Sequence, residues 1–277
     1  MEIYEIVQEI KRKKDLRNIS DKVLENLIKK ELNKRKYLYD KIIKAKNIKE
    51  IKQDQDFYYF FKDLRRLLHE IYGLFVPKDV KMINKIIFNE KISLEEKIIN
   101  LLELTRSTAE RLNFYRQIYQ NVFIEDPEVI LDLACGLNPI SIYFSEKKPK
   151  KYYYVDISEY ILDINYKILS EIGIENKGWV VDLLDPDEKI FEHYQYIFLW
   201  KTFPLLEKYD YRAPRDLISK LKFDYLILSF PQKSIGKKRN LGLAWRYKIK
   251  RFIEYKLKYK VIKEFDIPYE YFMIVKS

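Results

Sequence analysis

The chain has 277 residues, with 53 lysines and arginines against 42 aspartates and glutamates, which gives a formal net charge of +11. Its single cysteine excludes an intramolecular disulfide and a cysteine-cluster metal site, as is typical of proteins in a reducing cytosol. No stretch has the apolar length that crosses a bilayer, and the first residues lack a signal-peptide pattern. We therefore expect a cytoplasmic protein with no membrane partner.

Residues 1–122 show helical periodicity, which predicts an N-terminal helical domain. Apolar residues recur at helical spacing over 3–10, 23–32 and 57–75, the second run following the cap candidate Ser20. A capping box at Ser93 and Glu96 predicts a helix to about Leu104, and another helix is expected from Ser107. Residues 1–53 carry sixteen basic and nine acidic side chains. We expect this domain to dock onto RNA, with a solvated surface or a lid over a ligand as the alternatives.

From Pro127 onward, short β-rich runs alternate with helical ones. The predicted strands are 129–133, 152–156, 179–182, 196–200, 225–230, 261–267 and 269–275. Alternating strands and helices predict a parallel sheet, and the last two runs predict one antiparallel strand at its end. The second predicted domain, residues 123–277, is therefore of the α/β class with a Rossmann-like sheet.

The strand ends carry the most informative residues. The first strand runs into Ala134-Cys135-Gly136, and its one glycine does not match the glycine-spaced dinucleotide signature, which disfavours NAD and FAD. The second strand ends at Asp156 and the third at Asp182. Each acid alone is explained by a turn or a helix cap. Together, at one sheet edge, they favour a nucleoside without phosphates, and S-adenosylmethionine fits that description.

Four segments carry a resemblance to a known family: 107–112 (Ser-Thr-Ala-Glu-Arg-Leu), 131–139 (Leu-Asp-Leu-Ala-Cys-Gly-Leu-Asn-Pro), 201–207 (Lys-Thr-Phe-Pro-Leu-Leu-Glu) and 229–236 (Ser-Phe-Pro-Gln-Lys-Ser-Ile-Gly). On these residues the chain resembles the 16S rRNA (guanine-N7) methyltransferases of the aminoglycoside-resistance type. The resemblance implies a class I S-adenosylmethionine-dependent methyltransferase that modifies a decoding-site guanine of the 1405 type. It also implies 16S rRNA in the 30S subunit as partner, and we expect a monomer.

The resemblance assigns cofactor contacts residue by residue. Arg111 is expected to bind the methionine carboxylate, and Lys201 is expected to lie at the pocket edge. Without the resemblance, Arg111 would be explained as part of a surface salt bridge and Lys201 as a solvated lysine. The other expected contacts are Ala134 and Gly136 through their backbones, Asp156 at the ribose, Asp182 and Leu183 at the adenine, and Ile157 as a further cofactor contact. We expect no catalytic base and no metal, because guanine N7 has a free lone pair and no proton to remove.

A basic segment over residues 233–263 has twelve lysines and arginines and one acid. Such a cluster favours a nucleic-acid partner over a solvated surface. The expected RNA contacts are Lys233, Ser234, Lys237, Lys238, Arg239 and Arg246. The aromatic residues interleaved over 245–255 fit either a core stripe or a base-stacking surface.

Two other functions remain open from the sequence. One is a methyltransferase acting on another rRNA or tRNA base. The other is a methyltransferase-like RNA-binding or ribosome-assembly factor without turnover, although Arg111, Gly136, Asp156 and Asp182 together argue against it. The lysine-, isoleucine- and tyrosine-rich composition also leaves open a housekeeping role in rRNA modification instead of antibiotic resistance.

Overall fold

The computed structural model describes residues 2–70, 80–232 and 243–277. Its residues group into two compact units. The first comprises Met1–Val80 with Ile157–Tyr160, and the second comprises Lys81–Asp156 with Ile161–Ser277. This grouping places residues 81–122 with the sheet, whereas the sequence places them in the N-terminal domain. The functional division at 122/123 stays a prediction.

The first unit is helical. Its helices are α1 (Ile3–Lys11), α2 (Asp21–Asn33), α3 (Lys36–Lys44), α4 (Ile48–Ile51) and α5 (Gln55–Leu68). The apolar stripes expected from the sequence are buried, among them Ile6, Ile28 and Leu68, each with no exposed surface. The Asp54 carboxylate caps α5 by accepting the N–H groups of Asp56 and Phe57 at 2.9 and 3.0 Å. Such a cap satisfies N–H groups that the first helical turn leaves without partners.

Ser20 occupies the N-cap position of α2, as expected, but its side chain does not cap the helix. Its hydroxyl instead donates to Glu159 at 3.3 Å, and its backbone N–H donates to the carbonyl oxygen of Ile157 at 2.9 Å. These two hydrogen bonds tie the segment 157–160 to the first unit. The position of the cap was therefore predictable, and its hydrogen-bond partner was not.

Between residue 80 and the first strand, where every residue is described, the chain forms α6 (Val80–Ile87), α7 (Leu94–Glu103), α8 (Arg106–Ala109) and α9 (Tyr115–Val122). The predicted capping box starts α7, because Ser93 and Glu96 each accept the other's backbone N–H, at 2.9 and 3.2 Å. The single helix expected from Ser107 is instead interrupted between α8 and α9 by a 3-10 turn, Leu112–Phe114. Arg111 lies at this interruption.

The sheet has seven strands: β1 (Val129–Leu133), β2 (Lys151–Asp156), β3 (Glu175–Val180), β4 (His193–Trp200), β5 (Lys222–Pro231), β6 (Lys260–Ile267) and β7 (Glu270–Lys276). Their order is β3-β2-β1-β4-β5-β7-β6. The first five strands are parallel, and β7 is antiparallel to both β5 and β6. The predicted α/β class is confirmed, and β7, the one antiparallel strand among the described residues, lies between β5 and the edge strand β6.

The remaining helices follow the strands: α10 (Glu159–Ile172), α11 (Phe203–Tyr209), α12 (Ala213–Lys220) and α13 (Leu243–Arg251), the last continuing into a π-helical turn, Phe252–Lys256. Close packing needs a glycine in β3, because a Cβ on Gly178 would lie 2.4 Å from the ring of Tyr154. No helix within the described ranges has the length and apolar character to span a membrane. The carboxyl ends of β1 to β5 meet at one edge, where ligands of such sheets bind.

Candidate active site

The turn after β1 is built from unusual backbone conformations. Ala134 and Gly136 have φ angles of 51° and 52°, in the left-handed region. The turn is held by the N–H of Cys135, which donates to the carbonyl of Val155 at 3.0 Å, and by the Asn165 amide, which donates to the carbonyl of Gly136 at 2.8 Å. A Cβ on Gly136 would meet no atom within 4 Å. The turn therefore borders open space.

Asp132 stabilises this turn through side-chain hydrogen bonds. It is buried in β1 and accepts the Asn138 amide at 2.8 Å and the Tyr152 hydroxyl at 3.0 Å. Burial raises the pKa of the Asp132 carboxyl to about 7, even though these hydrogen bonds and the charge of Arg111 favour its ionised form. Its neighbours identify Asp132 as a residue that orients Asn138.

Asp156 ends β2, whereas Asp182 lies two residues beyond β3, which ends at Val180 and not at Asp182 as the sequence predicted. The Asp156 carboxylate accepts the N–H of Gly136 at 3.0 Å, which joins the end of β2 to the β1 turn. The N–H of Val181 donates to the Asp156 carbonyl at 3.0 Å, so Asp182 follows directly beside it. Asp182 accepts the N–H of Leu184 at 2.9 Å within its own turn, and Leu183 is buried. The structure thus brings the predicted turn and both acids together at one edge.

Arg111 lies in a buried group of charges. The guanidinium is 2% exposed and donates to both oxygens of Glu270, through Nε at 2.8 Å and Nη2 at 2.7 Å. Lys201 Nζ contacts Glu110 at 2.8 Å and Glu270 at 3.1 Å. We call these four residues, Glu110, Arg111, Lys201 and Glu270, the ionic cluster. Its charges cancel, and it occupies the carboxyl end of β4 and the start of β7.

The ionic cluster keeps Arg111 and Glu270 charged. Burial alone would raise the pKa of the Glu270 carboxyl, but the charges of Arg111 and Lys201 outweigh it and hold this pKa below its ordinary 4.5. Burial would likewise lower the pKa of Arg111, but Glu270 outweighs it and raises that pKa. Arg111 and Glu270 are therefore both ionised at neutral pH, each the counter-ion of the other.

Lys201 adopts a conformation that is costly for its residue type. Its φ of 57° lies in the left-handed region, at a cost of about 1–2 kcal/mol for a residue with a Cβ. Its N–H donates to the carbonyl and to the hydroxyl of Ser229, both at 3.0 Å. Strain of this kind concentrates at functional sites.

One buried donor beside Arg111 has no acceptor. Trp200 ends β4 with its ring 4.9 Å from the Arg111 guanidinium carbon, and within the described part of the chain its indole Nε1 finds no hydrogen-bond partner. Arg111 Nη1 makes a long contact of 3.4 Å to Asn138, a residue of the β1 turn. Among the described residues, the Trp200 Nε1–H is therefore an unused buried donor beside Arg111, and the guanidinium of Arg111 also interacts with Tyr115.

The remaining predicted site residues are Ile157, Arg246 and the residues of 233–239 expected to contact RNA. Ile157 belongs to the first unit, through its carbonyl contact with Ser20. Arg246 pairs with both oxygens of Asp266, at 2.8 and 3.1 Å, and its guanidinium lies 4.0 Å from the ring centre of Tyr271. These contacts hold α13 to the β6–β7 hairpin. Lys233, Ser234, Lys237, Lys238 and Arg239 lie outside the described residues. The individual site roles stay predictions.

Sequence reasoning missed Glu270, Glu110 and Trp200. Glu270 had one signal, since it is an acid at the start of an otherwise apolar run, and it is fully buried opposite Pro231. A charge in that position needs a partner, because an unpaired buried carboxylate is too costly. Glu110 lies within the segment 107–112, but no local pattern there distinguishes it from a surface acid.

Comparison with known proteins agrees with this geometry. The ribosomal RNA methyltransferase (FmrO) family profile matches residues 59–252, more than half of the chain. A 16S rRNA (guanine(1405)-N(7))-methyltransferase of Frankia casuarinae is 29% identical over 198 residues, 67% of this chain and 69% of that protein.

Two solved structures share the fold. That of the 16S rRNA methylase RmtB is 21% identical with a TM-score of 0.73, and the match covers 100% of this chain and 99% of RmtB. That of the 16S rRNA methyltransferase RmtF in complex with S-adenosyl-L-homocysteine is 20% identical with a TM-score of 0.69, over 100% and 99% of the two chains. The predicted family and the predicted Rossmann-like methyltransferase fold are confirmed. This chain belongs to the ribosomal RNA methyltransferase (FmrO) family.

Proposed function

We propose that this protein transfers a methyl group from S-adenosylmethionine to N7 of a guanine in 16S rRNA, at a decoding-site position of the 1405 type. The observation that carries the proposal is the convergence of Gly136, Asp156, Asp182 and Arg111 at the carboxyl edge of one parallel sheet. Family membership supports rRNA as the substrate. The Frankia casuarinae relative bears the name of that specific reaction.

The residues at this edge fit S-adenosylmethionine. The open space beside Gly136 gives the ligand room next to the backbone. Asp156 ends β2, and its carboxylate would accept hydrogen bonds from the ribose hydroxyls. Asp182 and Leu183 would hold the adenine. Arg111 Nη1, which is directed toward Asn138 of the β1 turn, would bind the methionine carboxylate. When bound, S-adenosylmethionine supplies a methyl group on a positively charged sulfur.

Glu270 gives Arg111 a defined role in this proposal. Its bidentate contact fixes the guanidinium plane and commits two of its N–H groups. Nη1 then remains for the methionine carboxylate and is aimed at the β1 turn through Asn138. Because Arg111 is already paired with Glu270, the two residues together have no net charge that the bound cofactor would have to neutralise. Arg111 is thus pre-oriented by the protein before any ligand arrives.

Methylation at N7 asks little acid–base chemistry of the protein. The nitrogen attacks with a free lone pair and has no proton to lose, so positioning is the main task. The methyl transfer moves a positive charge from sulfur to the base. The four charges of the ionic cluster sum to zero, so the cluster itself adds no strong opposing field. Lys201, held at the strand end, would border the position of the base.

The expected RNA partner is 16S rRNA within the 30S subunit, met by a monomer in the cytoplasm. Lys233, Ser234, Lys237, Lys238 and Arg239 follow β5 and would contact phosphates beside the target. Arg246 is engaged with Asp266, so in this proposal it contributes charge to the same region without leaving its pair. Ile157 would contact the ribose from the residue after Asp156.

The test is incubation of the full-length protein with tritium-labelled S-adenosylmethionine and purified 30S subunits, protein-free 16S rRNA or tRNA. Label is expected in 30S subunits, and aniline cleavage after borohydride reduction should break the rRNA at one decoding-site guanine. The Arg111→Ala variant serves as the control for cofactor-dependent transfer. Label in tRNA, or in an rRNA nucleotide that resists this cleavage, would contradict the proposed target. Absence of binding at millimolar S-adenosylmethionine would contradict the enzyme itself.

A further inference from the structure

A groove of about 620 Å³ lies between the start of α12 and α13 with its π-helical turn. We call it the tyrosine groove. Its lining includes Tyr211, Arg215, Tyr247, Lys248, Arg251 and Tyr255. None of the functions assigned above uses it.

Three tyrosine rings of the groove are exposed. Tyr211, Tyr247 and Tyr255 are 52%, 64% and 65% exposed. Tyr247, Arg251 and Tyr255 follow one another at intervals of four residues, which places them along one helical face. The sequence left Tyr247 and Tyr255 open between a core stripe and a stacking surface. Their exposure excludes the core stripe for Tyr247 and Tyr255.

Cations lie against these rings. The Arg215 guanidinium carbon is 3.7 Å from the ring centre of Tyr211, and Lys248 Nζ is 4.8 Å from the same ring. The Arg251 guanidinium carbon is 5.8 Å from Tyr247 and 5.7 Å from Tyr255. Cation–π attraction holds charge and ring side by side. The groove therefore offers aromatic surface and positive charge together.

The charge of the lining is strongly one-sided. Five of its residues are cations and one, Asp216, is a carboxylate. Arg215 is paired with Glu207 at 2.6 Å, whereas Lys248 and Arg251 are exposed at the surface. An anionic partner is favoured. An acidic peptide would satisfy the charges but would leave the rings without stacking partners, whereas single-stranded nucleic acid supplies both phosphates and bases.

We propose that the tyrosine groove binds an unpaired segment of the rRNA substrate, with bases stacked on Tyr247 and Tyr255 and phosphates held by Lys248 and Arg251. The choice of rRNA as the source rests on the proposed function. The position fits, because α11 leads from Lys201 at the cofactor edge directly to Tyr211. A nucleotide extruded from folded RNA leaves unpaired neighbours, which need such a surface.

The test is fluorescence anisotropy of fluorescein-labelled single-stranded octaadenylate with the full-length protein. Replacement of Tyr247 and Tyr255 together by alanine should weaken binding at least fivefold for each tyrosine, from the loss of base stacking. Tyr166→Ala is the matched control, because Tyr166 is 58% exposed on α10, outside the groove. Arg251→Gln should flatten the slope of log affinity against log salt by about 0.7.

Equal octaadenylate affinity of the Tyr247/Tyr255 variant and Tyr166→Ala would overturn the proposal, as would equally strong competition by polyglutamate, which would indicate an acidic peptide. Methylation of 30S subunits by the unaltered protein is measured in parallel. Tyrosine-dependent RNA binding without that methylation would support the groove and contradict the proposed function. Methylation with tyrosine-independent RNA binding would support the function and contradict the groove.

Discussion

At the residue scale, the carboxylate of Asp156 has two hydrogen-bonding functions. One oxygen holds the Gly136 N–H of the β1 turn, and the proposed cofactor site also needs this group at the ribose. Asp156→Ala should weaken S-adenosylmethionine binding by about 1.5–3 kcal/mol, the range for hydrogen bonds to charged groups. Isothermal titration calorimetry measures this loss, with Asp163→Ala, an exposed acid on α10, as the control. Unchanged affinity in a folded Asp156→Ala variant would remove this residue from the site.

Glu270 is the residue whose loss should cost the most stability. Glu270→Gln leaves Arg111 buried without a counter-ion, and breaking such a pair costs about 3–5 kcal/mol. Glu264→Gln is the control, since the Glu264–Lys250 pair lies on the neighbouring strand at the surface, where a pair contributes about 0–1 kcal/mol. Urea denaturation at pH 7 measures both. Equal losses would show that the ionic cluster is no more important than a surface pair.

Asp132 makes the stability depend on pH. Its carboxyl has a pKa of about 7 in the folded protein against an ordinary 3.8, so between these values the folded state binds more protons than the unfolded state. Stability therefore falls as pH rises through this window, by on the order of 4 kcal/mol for about three units. Asp132→Asn keeps an oxygen acceptor and removes the titration. Urea denaturation from pH 4.5 to 8 should show that the stability of the variant relative to the unaltered protein increases as the pH rises. Parallel curves of stability against pH would contradict the assignment.

At the scale of the element, substitutions in the β1 turn can distinguish the effect of backbone strain on stability from the effect of a blocked cofactor site on binding. Gly136 and Gly173 both have left-handed φ angles, 52° and 87°, and a Cβ added to either would meet no atom within 4 Å. Gly136→Ala and Gly173→Ala should each lose about 1–2 kcal/mol of stability from strain. Only Gly136→Ala should also weaken S-adenosylmethionine binding, because its Cβ enters the open space of the site. Thermal denaturation and calorimetry test both, and equal cofactor affinities would contradict the placement of the cofactor.

The strands and the capping box were predictable because their signals are local. Apolar runs bounded by polar residues predicted six of the strands closely, and the Ser93–Glu96 box lies within four residues. The third strand was predicted at 179–182, but β3 is Glu175–Val180, because its first residues, Glu175-Asn176-Lys177-Gly178, have no apolar pattern. The acids at the strand ends were predictable for the same reason, since the carboxyl ends of parallel strands share one edge.

The ionic cluster was not predictable, because no local pattern encodes it. Arg111 and Glu270 are 159 residues apart, and only the antiparallel pairing of β7 with β5 brings Glu270 to the site. The pairing of Arg246 with Asp266 is another case, since the sequence showed a cation without its hairpin partner. The interruption between α8 and α9 also follows from tertiary contacts, because Arg111 leaves the helix where it meets Glu270.

For the whole molecule, the N-terminal unit is the expected RNA-docking module. Lys13, Lys14 and Arg17 are exposed on the turn between α1 and α2. Replacing all three by glutamine should leave S-adenosylmethionine binding unchanged and reduce methylation of 30S subunits. The slope of log affinity for subunits against log salt should flatten by up to about two to three, near 0.7–0.9 for each lost phosphate contact.

Arg66→Gln is the control for this triple variant, because Arg66 is a cation of the same unit that pairs with Asp63 at 3.2 Å. A lid function predicts the opposite pattern, in which cofactor affinity falls and the salt dependence of subunit binding is unaltered. Calorimetry and filter binding on the same preparations distinguish the two functions.

The inclusion of Ile157–Tyr160 in the N-terminal unit has a consequence for how the protein is made. A nascent chain emerges from its N-terminus, and at about 5–20 residues per second the last part of this unit appears roughly 4–16 seconds after residue 80. Until then Ser20 lacks the carbonyl of Ile157, so the helices emerge before their final hydrogen-bond partner exists. The N-terminal unit therefore completes its folding only after β1 and β2 have been synthesised, which makes the order of translation part of its assembly.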